Sequence, residues 1–239
     1  MLDVHPPHEA VHTWRDFFIH IATIVIGLLI AIGLEQTVEA LRHRHERRQL
    51  QADLIIEARN NLELMKLDVK YFDRLDPIVG ALRKDAATYL AHPGSAPHPV
   101  VLAQAIDGRG TLFPDAPVWN TARADGTIGL LPRSQAALYD LVYGQQLVME
   151  GSYRVHDDAI SQLLNFAFRF TADPKSPIDL ARLSPADRAE YIRLLGNLQG
   201  ALTRFRYLTS LALQITEQAA NGDTDDRKAF EKIGVTARH

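Results

Sequence analysis

Residues Phe17–Leu34 read FFIHIATIVIGLLIAIGL, an apolar run of 18 residues without a charged side chain. As an α-helix this run spans roughly 27 Å, which is close to the hydrocarbon thickness of a bilayer. Trp14 precedes it, where an amphipathic ring favours the headgroup region. The pattern predicts a transmembrane helix over residues 17–35, after a short N-terminal tail over residues 1–16.

A cleaved signal peptide and a soluble core helix are the alternatives to a membrane anchor. A signal peptide would carry a basic N-terminal region and a small-residue cleavage site. Here Asp3, Glu9 and Asp16 precede the run, and Glu35-Gln36-Thr37 follows it. A soluble core helix of this length is rarely apolar on all faces. These features favour an uncleaved anchor.

The basic residues that flank the anchor are distributed unequally. Arg15 precedes it, whereas four arginines follow it closely: Arg42, Arg44, Arg47 and Arg48. The positive-inside rule therefore predicts a single-pass protein of the inner (cytoplasmic) membrane, with its C-terminal domain in the cytoplasm.

Small and polar residues within the anchor suggest a contact with another transmembrane helix. Gly27 and Ala31 form a small-xxx-small step, and Glu35 ends the apolar run. Glu35 and His20 are alternatively interfacial and reach the headgroups.

His8, His12, Asp16 and His20 recur every four residues, but no matching ligands elsewhere support a metal or haem site, and we expect no cofactor.

A long apolar stripe follows the anchor, and its spacing is close to that of a coiled coil. Its members are Leu50, Leu54, Ala58, Leu62, Met65, Val69 and Phe72. We expect a stalk helix over residues 36–75 whose stripe packs against the protein's own bundle, with charged residues such as Glu57 on the other faces. Self-association through the stripe is the alternative.

Helix signals continue through residues 76–221, which we interpret as a helical bundle domain. Asp76-Pro77 and Ser184-Pro185 predict helix starts, Gly126 predicts a helix end, and Pro132 opens a long helix. A loop over 92–99 and a short helix over 100–106 lie between them, and residues 222–239 form a polar tail. The fold class is therefore all-α, an antiparallel bundle of about four long helices.

Composition and motifs narrow the function. The chain has 26 Lys plus Arg, 29 Asp plus Glu and no cysteine, so a nucleic-acid partner, thiolate catalysis and Cys-based metal sites are not expected. Gly108-Arg109-Gly110 lacks the context of a phosphate loop. His156-Asp157-Asp158 is interpreted as a solvated helix face. We expect no enzymatic activity.

The most unusual local cluster comprises Trp119, Asn120, Thr121 and Arg123. A buried tryptophan with a structural role is one interpretation. The other is a ligand or partner contact in which Arg123 would meet an anion, because aromatic residues and arginine are enriched at interfaces.

Several short motifs carry a resemblance to a known group. They are Trp14-Arg15-Asp16-Phe17-Phe18, Gly27-Leu28-Leu29-Ile30-Ala31 with Glu35-Gln36 after it, Trp119-Asn120-Thr121-Ala122 before Gly126, and Tyr143-Gly144-Gln145-Gln146. The chain thereby resembles bacterial single-pass membrane proteins of unknown function. The resemblance implies an anchored helical domain and supplies no catalytic residues.

Two functions are compatible with these features. The first is a membrane-anchored interaction or scaffold protein, with the lipid bilayer and a protein partner or a second copy of itself as partners. The second is a membrane-anchored sensor or binding domain for a small ligand, which requires a polar pocket between helices.

Overall fold

The computed structural model describes residues 14–92, 113–173, 176 and 178–223. Within these ranges it contains four α-helices: α1 (Trp14–Ala91), α2 (Pro117–Asp125), α3 (Arg133–Ala167) and α4 (Pro185–Ala220). Two short 3-10 helices, Thr127–Leu130 and Leu180–Arg182, precede α3 and α4. The all-α prediction is confirmed. His8, His12, the short helix expected over 100–106, and most of the loop over 92–99 and of both tails lie outside the described residues.

The chain divides into two compact units, Met1–Gln49 and Leu50–His239. In the first unit the helix begins at Trp14, three residues before the apolar run. The run is helical throughout, and its side chains are exposed. Its length and composition are sufficient to cross a membrane.

The described residues of the second unit form three long helices. Glu57 contacts Tyr143 and Phe72 contacts His156, so α1 and α3 run in parallel. Contacts between α1 and α4 run in the opposite sense. Arg59 contacts Ala220 at the end of α4, whereas Arg83, later in α1, contacts Gln199, which lies earlier in α4. Helix α4 is therefore antiparallel to the other two helices, as predicted for an antiparallel bundle. The parallel pairing of α1 with α3 differs from that prediction.

The apolar stripe of α1 packs inside this bundle. Five of its members are buried, Leu54, Ala58, Leu62, Met65 and Phe72, whereas Leu50 and Val69 are half-buried. Two hydrophobic clusters take up these residues together with side chains of α3 and α4. The interpretation that the stripe faces the protein's own core is confirmed.

The expected helix start at Asp76-Pro77 is wrong, because α1 continues through Pro77 to Ala91. Proline inside a helix costs roughly 3 kcal/mol, since it removes one backbone hydrogen bond and crowds the preceding turn. Leu75 and Val79 are fully or almost fully buried on either side of it. Their burial in the bundle outweighs the local penalty, so the described part of the unit has three long helices instead of four.

Other predicted boundaries are confirmed. Gly126 ends α2 with a φ of 81°, a left-handed conformation that glycine adopts without steric cost. The Ser184 hydroxyl accepts a hydrogen bond from the backbone N–H of Asp187 and caps α4. Each of these two signals involves only residues that are close together in the sequence.

Candidate functional site

Helix α2 is held in place by a buried acid of α1. The residue at its N-terminus, Ala116, provides no side-chain cap. Instead the Glu57 carboxylate accepts hydrogen bonds from the backbone N–H of Val118 (2.6 Å) and of Trp119 (3.4 Å). These donors are among those that a helix start leaves without intrahelical partners. A negative charge at this end also interacts favourably with the helix dipole.

Two tyrosines of α3 adjoin the same carboxylate. The Tyr143 hydroxyl donates a hydrogen bond to Oε1 of Glu57. Burial, this hydrogen bond and the Glu57 charge raise the pKa of Tyr143 far above its ordinary value. Burial, with a contribution from the Glu57 charge, raises the pKa of Tyr139 to about 12. Both tyrosines are therefore neutral at physiological pH. The expectation that Glu57 lies on a charged outer face is wrong, because only 6% of it is exposed.

A second buried side chain of α1 fixes the segment that leads into α2. The Asn61 side chain donates to the carbonyl oxygen of Asp115 (2.7 Å), and the backbone N–H of Asp115 donates back to Asn61 Oδ1 (3.1 Å). Asn61 lies four residues after Glu57, so the two side chains share one face of α1. Together they join α2 to the bundle through four hydrogen bonds, two to its first turn and two to Asp115, which lies two residues before it.

A groove of about 680 Å³ lies between α2 and α3. At one side Trp119 stacks on Tyr143, with ring centroids 5.2 Å apart and an interplanar angle of 21°. Phe113 and Tyr153 form an edge-to-face pair with centroids 4.3 Å apart and also line the groove. The groove therefore has aromatic walls.

The same groove carries charges of both signs. The Arg123 guanidinium lies over the Trp119 ring, 5.8 Å from its centroid, and 3.7 Å from the carboxylate of Asp140. Arg154 pairs with Glu150 at 2.7 Å. Both arginines are exposed. Exposed ion pairs contribute little to stability, so both arginines can exchange their partners for those of a bound molecule at low cost.

Three of the four residues predicted as contacts come together here. Trp119, Asn120 and Arg123 line the groove, with Trp119 buried and the other two exposed. Thr121 is exposed and does not line it. The sequence prediction missed Glu57 and Asn61. Their signal was a polar residue directly before each of two stripe residues, Ala58 and Leu62, which widens the buried face of α1.

The predicted transmembrane contacts Gly27, Ala31 and Glu35 are all exposed on α1. Within the part of the chain that the structure describes, a Cβ atom added at Gly27 would meet nothing within 4 Å. The structure thus leaves this face of the helix accessible to another helix.

The interpretation of His156 as part of a solvated face is wrong, although Asp157 and Asp158 are exposed as expected. The His156 ring lies among four aromatic rings at centroid distances of 6.2–6.4 Å, those of Tyr71, Phe72, Tyr153 and Phe205. Neither of its nitrogens has a hydrogen-bond partner within the described part of the chain. Burial lowers its pKa to about 4, against the opposing effect of Asp157. The ring is therefore neutral at physiological pH.

Within the ranges that the structure describes, no group of three or more His, Asp or Glu side chains is arranged to hold a metal ion. The arrangement at α2 and α3 combines aromatic walls, two exposed arginines and a helix held in place by Glu57 and Asn61. Comparison of the chain with protein-family models, with curated proteins and with solved structures gave no match.

Proposed function

We propose that this protein is a membrane-anchored binding protein whose helical bundle receives a protein partner in the groove between α2 and α3. The N-terminal part of α1 is its single transmembrane helix, which is supported by the uncharged run over Phe17–Leu34. The four arginines after the anchor favour the inner membrane with the bundle on the cytoplasmic side.

One observation carries the binding proposal: the groove is built in advance. Glu57 and Asn61 hold α2 against the bundle, and Trp119 is stacked on Tyr143. A binding surface that is already ordered loses less conformational entropy when it is occupied. The exposed side chains Asn120 and Arg123 then provide the polar contacts at the edge of the groove.

A protein segment fits the chemistry of this groove. Leu147, at the groove edge, is 69% exposed, and Phe113 is also exposed. Aromatic residues and arginine are the types most enriched at protein interfaces. Charges of both signs indicate a mixed polar and apolar partner and give no reason to expect a nucleic acid.

A small ligand is the second candidate, favoured by the size of the groove. Its volume of about 680 Å³ lies within the range typical of small-molecule sites, roughly 300–1,000 Å³. A ligand that binds the native state alone raises its melting temperature in proportion to the logarithm of ligand concentration. Such a shift, lost in an Arg123→Ala variant, would favour this sensor function.

A site-specific photocross-linker distinguishes the groove from the rest of the surface. We would introduce benzoylphenylalanine at Asn120, and at Thr121 as a matched control, because both are exposed and only Asn120 lines the groove. We expect a discrete protein adduct from position 120, weakened by Arg123→Ala, and none from 121. Equal adducts from both positions would refute the groove as the binding site.

The topology of the anchor requires a separate measurement. A reporter that is active only in the cytoplasm, fused after His239, should give a signal, and an export-dependent reporter at the same position should not. The reverse pattern would refute the cytoplasmic placement while leaving the groove proposal intact.

A further inference from the structure

Two exposed apolar side chains lie just beyond the proposed anchor. Val38 and Leu41 are each 58% exposed. Their neighbours in the chain are mostly polar, including Glu39, Arg42 and His43. Isolated apolar residues on a protein surface are common. This pair is different because of its position relative to the residues before it.

Val38 and Leu41 continue a seven-residue pattern that begins inside the anchor. The residues at alternating steps of four and three are His20, Ile24, Gly27, Ala31, Leu34, Val38 and Leu41. A helix with this spacing carries the residues along one side, with a drift of about 20° per heptad that a left-handed supercoil removes. The seam crosses the end of the apolar run without a change of register, and all its residues are exposed.

We propose that this seam binds a second copy of the chain in a parallel two-helix coiled coil. The proposal rests on the proposed membrane anchor, since a partner for the anchor face must lie in the same bilayer. A parallel copy sets each seam residue opposite itself, so one continuous seam is sufficient for both chains. Gly27 and Ala31 permit close approach within the membrane.

The residue types at the seam favour two parallel strands. In the heptad, Ile24, Ala31 and Val38 occupy the first core position (a), whereas Gly27, Leu34 and Leu41 occupy the second (d). A β-branched residue at the first position with leucine at the second favours parallel dimers. Val38 followed by Leu41 fits this preference at both positions. Ile24 fits it at the first position, whereas the second position of that heptad is Gly27.

The charges beside the seam are compatible with a second copy and set its end. In a parallel pair, the residues that flank the seam on one chain lie beside those that flank it on the other. Ile30 then lies beside Glu35 and Thr37 beside Arg42, so neither pair brings like charges together. Arg42 also has an ion pair within its own helix, with Glu46 at 3.2 Å. The next seam positions, His45 and Arg48, would each face an identical residue. The seam therefore ends at Leu41.

Disulfide cross-linking can test the register, because the chain has no cysteine of its own. The full-length variants Val38→Cys and Leu41→Cys have their cysteine at the seam. Ala40→Cys and His43→Cys place it on the other faces of the same turns. After oxidation with copper phenanthroline in isolated membranes, we expect at least about fivefold more covalent dimer from the two seam variants.

A glycine pair supplies the matched disruption. A Cβ at Gly27 or at Gly33 would meet nothing within 4 Å among the described residues. Gly27 lies on the seam and Gly33 does not. In the Leu41→Cys background, Gly27→Leu should lower the dimer yield at least about fivefold, whereas Gly33→Leu should leave it within about twofold.

The outcomes separate this inference from the anchor itself. Extraction of the chain from membranes by alkaline carbonate would refute the anchor, and the parallel pairing in a bilayer with it. A chain that resists extraction but cross-links equally at positions 38, 40, 41 and 43 would refute the seam alone. Seam-specific adducts to a different protein, without self-dimer, would also overturn the second copy as the occupant.

Discussion

The substitution Glu57→Gln tests whether one buried carboxylate supports the groove. Glutamine keeps the shape of the side chain but replaces one acceptor oxygen with a donor NH₂ group. The carboxylate now accepts from Val118, Trp119 and Tyr143. The amide oxygen can satisfy the Val118 N–H, so the NH₂ group then faces the donors of Trp119 and Tyr143.

The expected cost follows from these bonds. A hydrogen bond to a charged group contributes about 1.5–3 kcal/mol, and a neutral one about 0.5–1.5 kcal/mol. The Tyr143 hydroxyl can turn and accept from the NH₂ group, so only the Trp119 N–H loses its acceptor. One weakened bond and one unpaired donor predict a decrease in the free energy of unfolding of about 2–4 kcal/mol. Tyr143→Phe removes only the phenol donor, so we expect a smaller loss, about 1–2 kcal/mol.

Urea unfolding of the full-length chain in detergent can measure this loss. The chain has two tryptophans, Trp14 and Trp119. A Trp14→Phe background therefore makes fluorescence report on Trp119, which adjoins the Glu57 site. Glu63→Gln is the control, because Glu63 lies on the same helix, is exposed and pairs with Lys66. We expect its effect to stay under about 0.5 kcal/mol. Equal effects of the two glutamine variants would refute the role of Glu57.

Three further predictions concern other sites. The pKa of His156 falls from 6.5 to about 4 on folding, so only the unfolded state binds its proton in this range. Stability should therefore fall by about 3 kcal/mol more in the wild type than in His156→Phe as the pH decreases from 6.5 to 4, measured by urea unfolding; parallel pH profiles would contradict this. Gly126→Ala should lower stability by roughly 1 kcal/mol, because φ is 81° there while the added Cβ meets no described residue within 4 Å; an unchanged melting temperature would contradict it. Ser184→Ala should cost about 1 kcal/mol through the lost cap of α4, and a Ser184→Asp variant should restore most of it.

The sequence predicted features whose causes are local. The long apolar helix over Phe17–Leu34, the cap at Ser184 and the turn at Gly126 each depend on residues within a few positions of one another. Pro77 shows the limit of this approach. Its sequence signal for a helix start is strong, but burial of residues on both sides of it keeps α1 continuous.

Helix α3 shows a related limit, since the sequence did not distinguish the buried side of the helix correctly. Ser152 and His156 are buried, whereas the apolar Val148 and Val155 are exposed. The buried face of α3 is the one that packs against α1 and α4, and this face includes the polar residues Ser152 and His156. A residue's own hydrophobicity could not indicate this, because the arrangement of the partner helices decides which face is covered.

The support of the candidate site could not be predicted for a different reason. Glu57 is 61 residues from Val118 and 86 residues from Tyr143 along the chain. Glutamate in a helix is usually solvated, so its burial follows only from the helix start that it caps. Trp119 and Arg123 were recognisable because both types are common at binding surfaces, but the partner groups that hold them in place were not.

This separation between supporting and contacting residues gives the groove proposal a sharper test. Glu57 contacts α2 from inside the bundle and does not line the groove, whereas Arg123 lines it and is exposed. We therefore expect Arg123→Ala to weaken photocross-linking from Asn120 without a measurable loss of stability. Glu57→Gln should weaken both together, because α2 loses bonds that fix its position. If Glu57→Gln destabilised the bundle while leaving the adduct unchanged, binding would not depend on the position of α2. The partner would then have to contact another part of the surface.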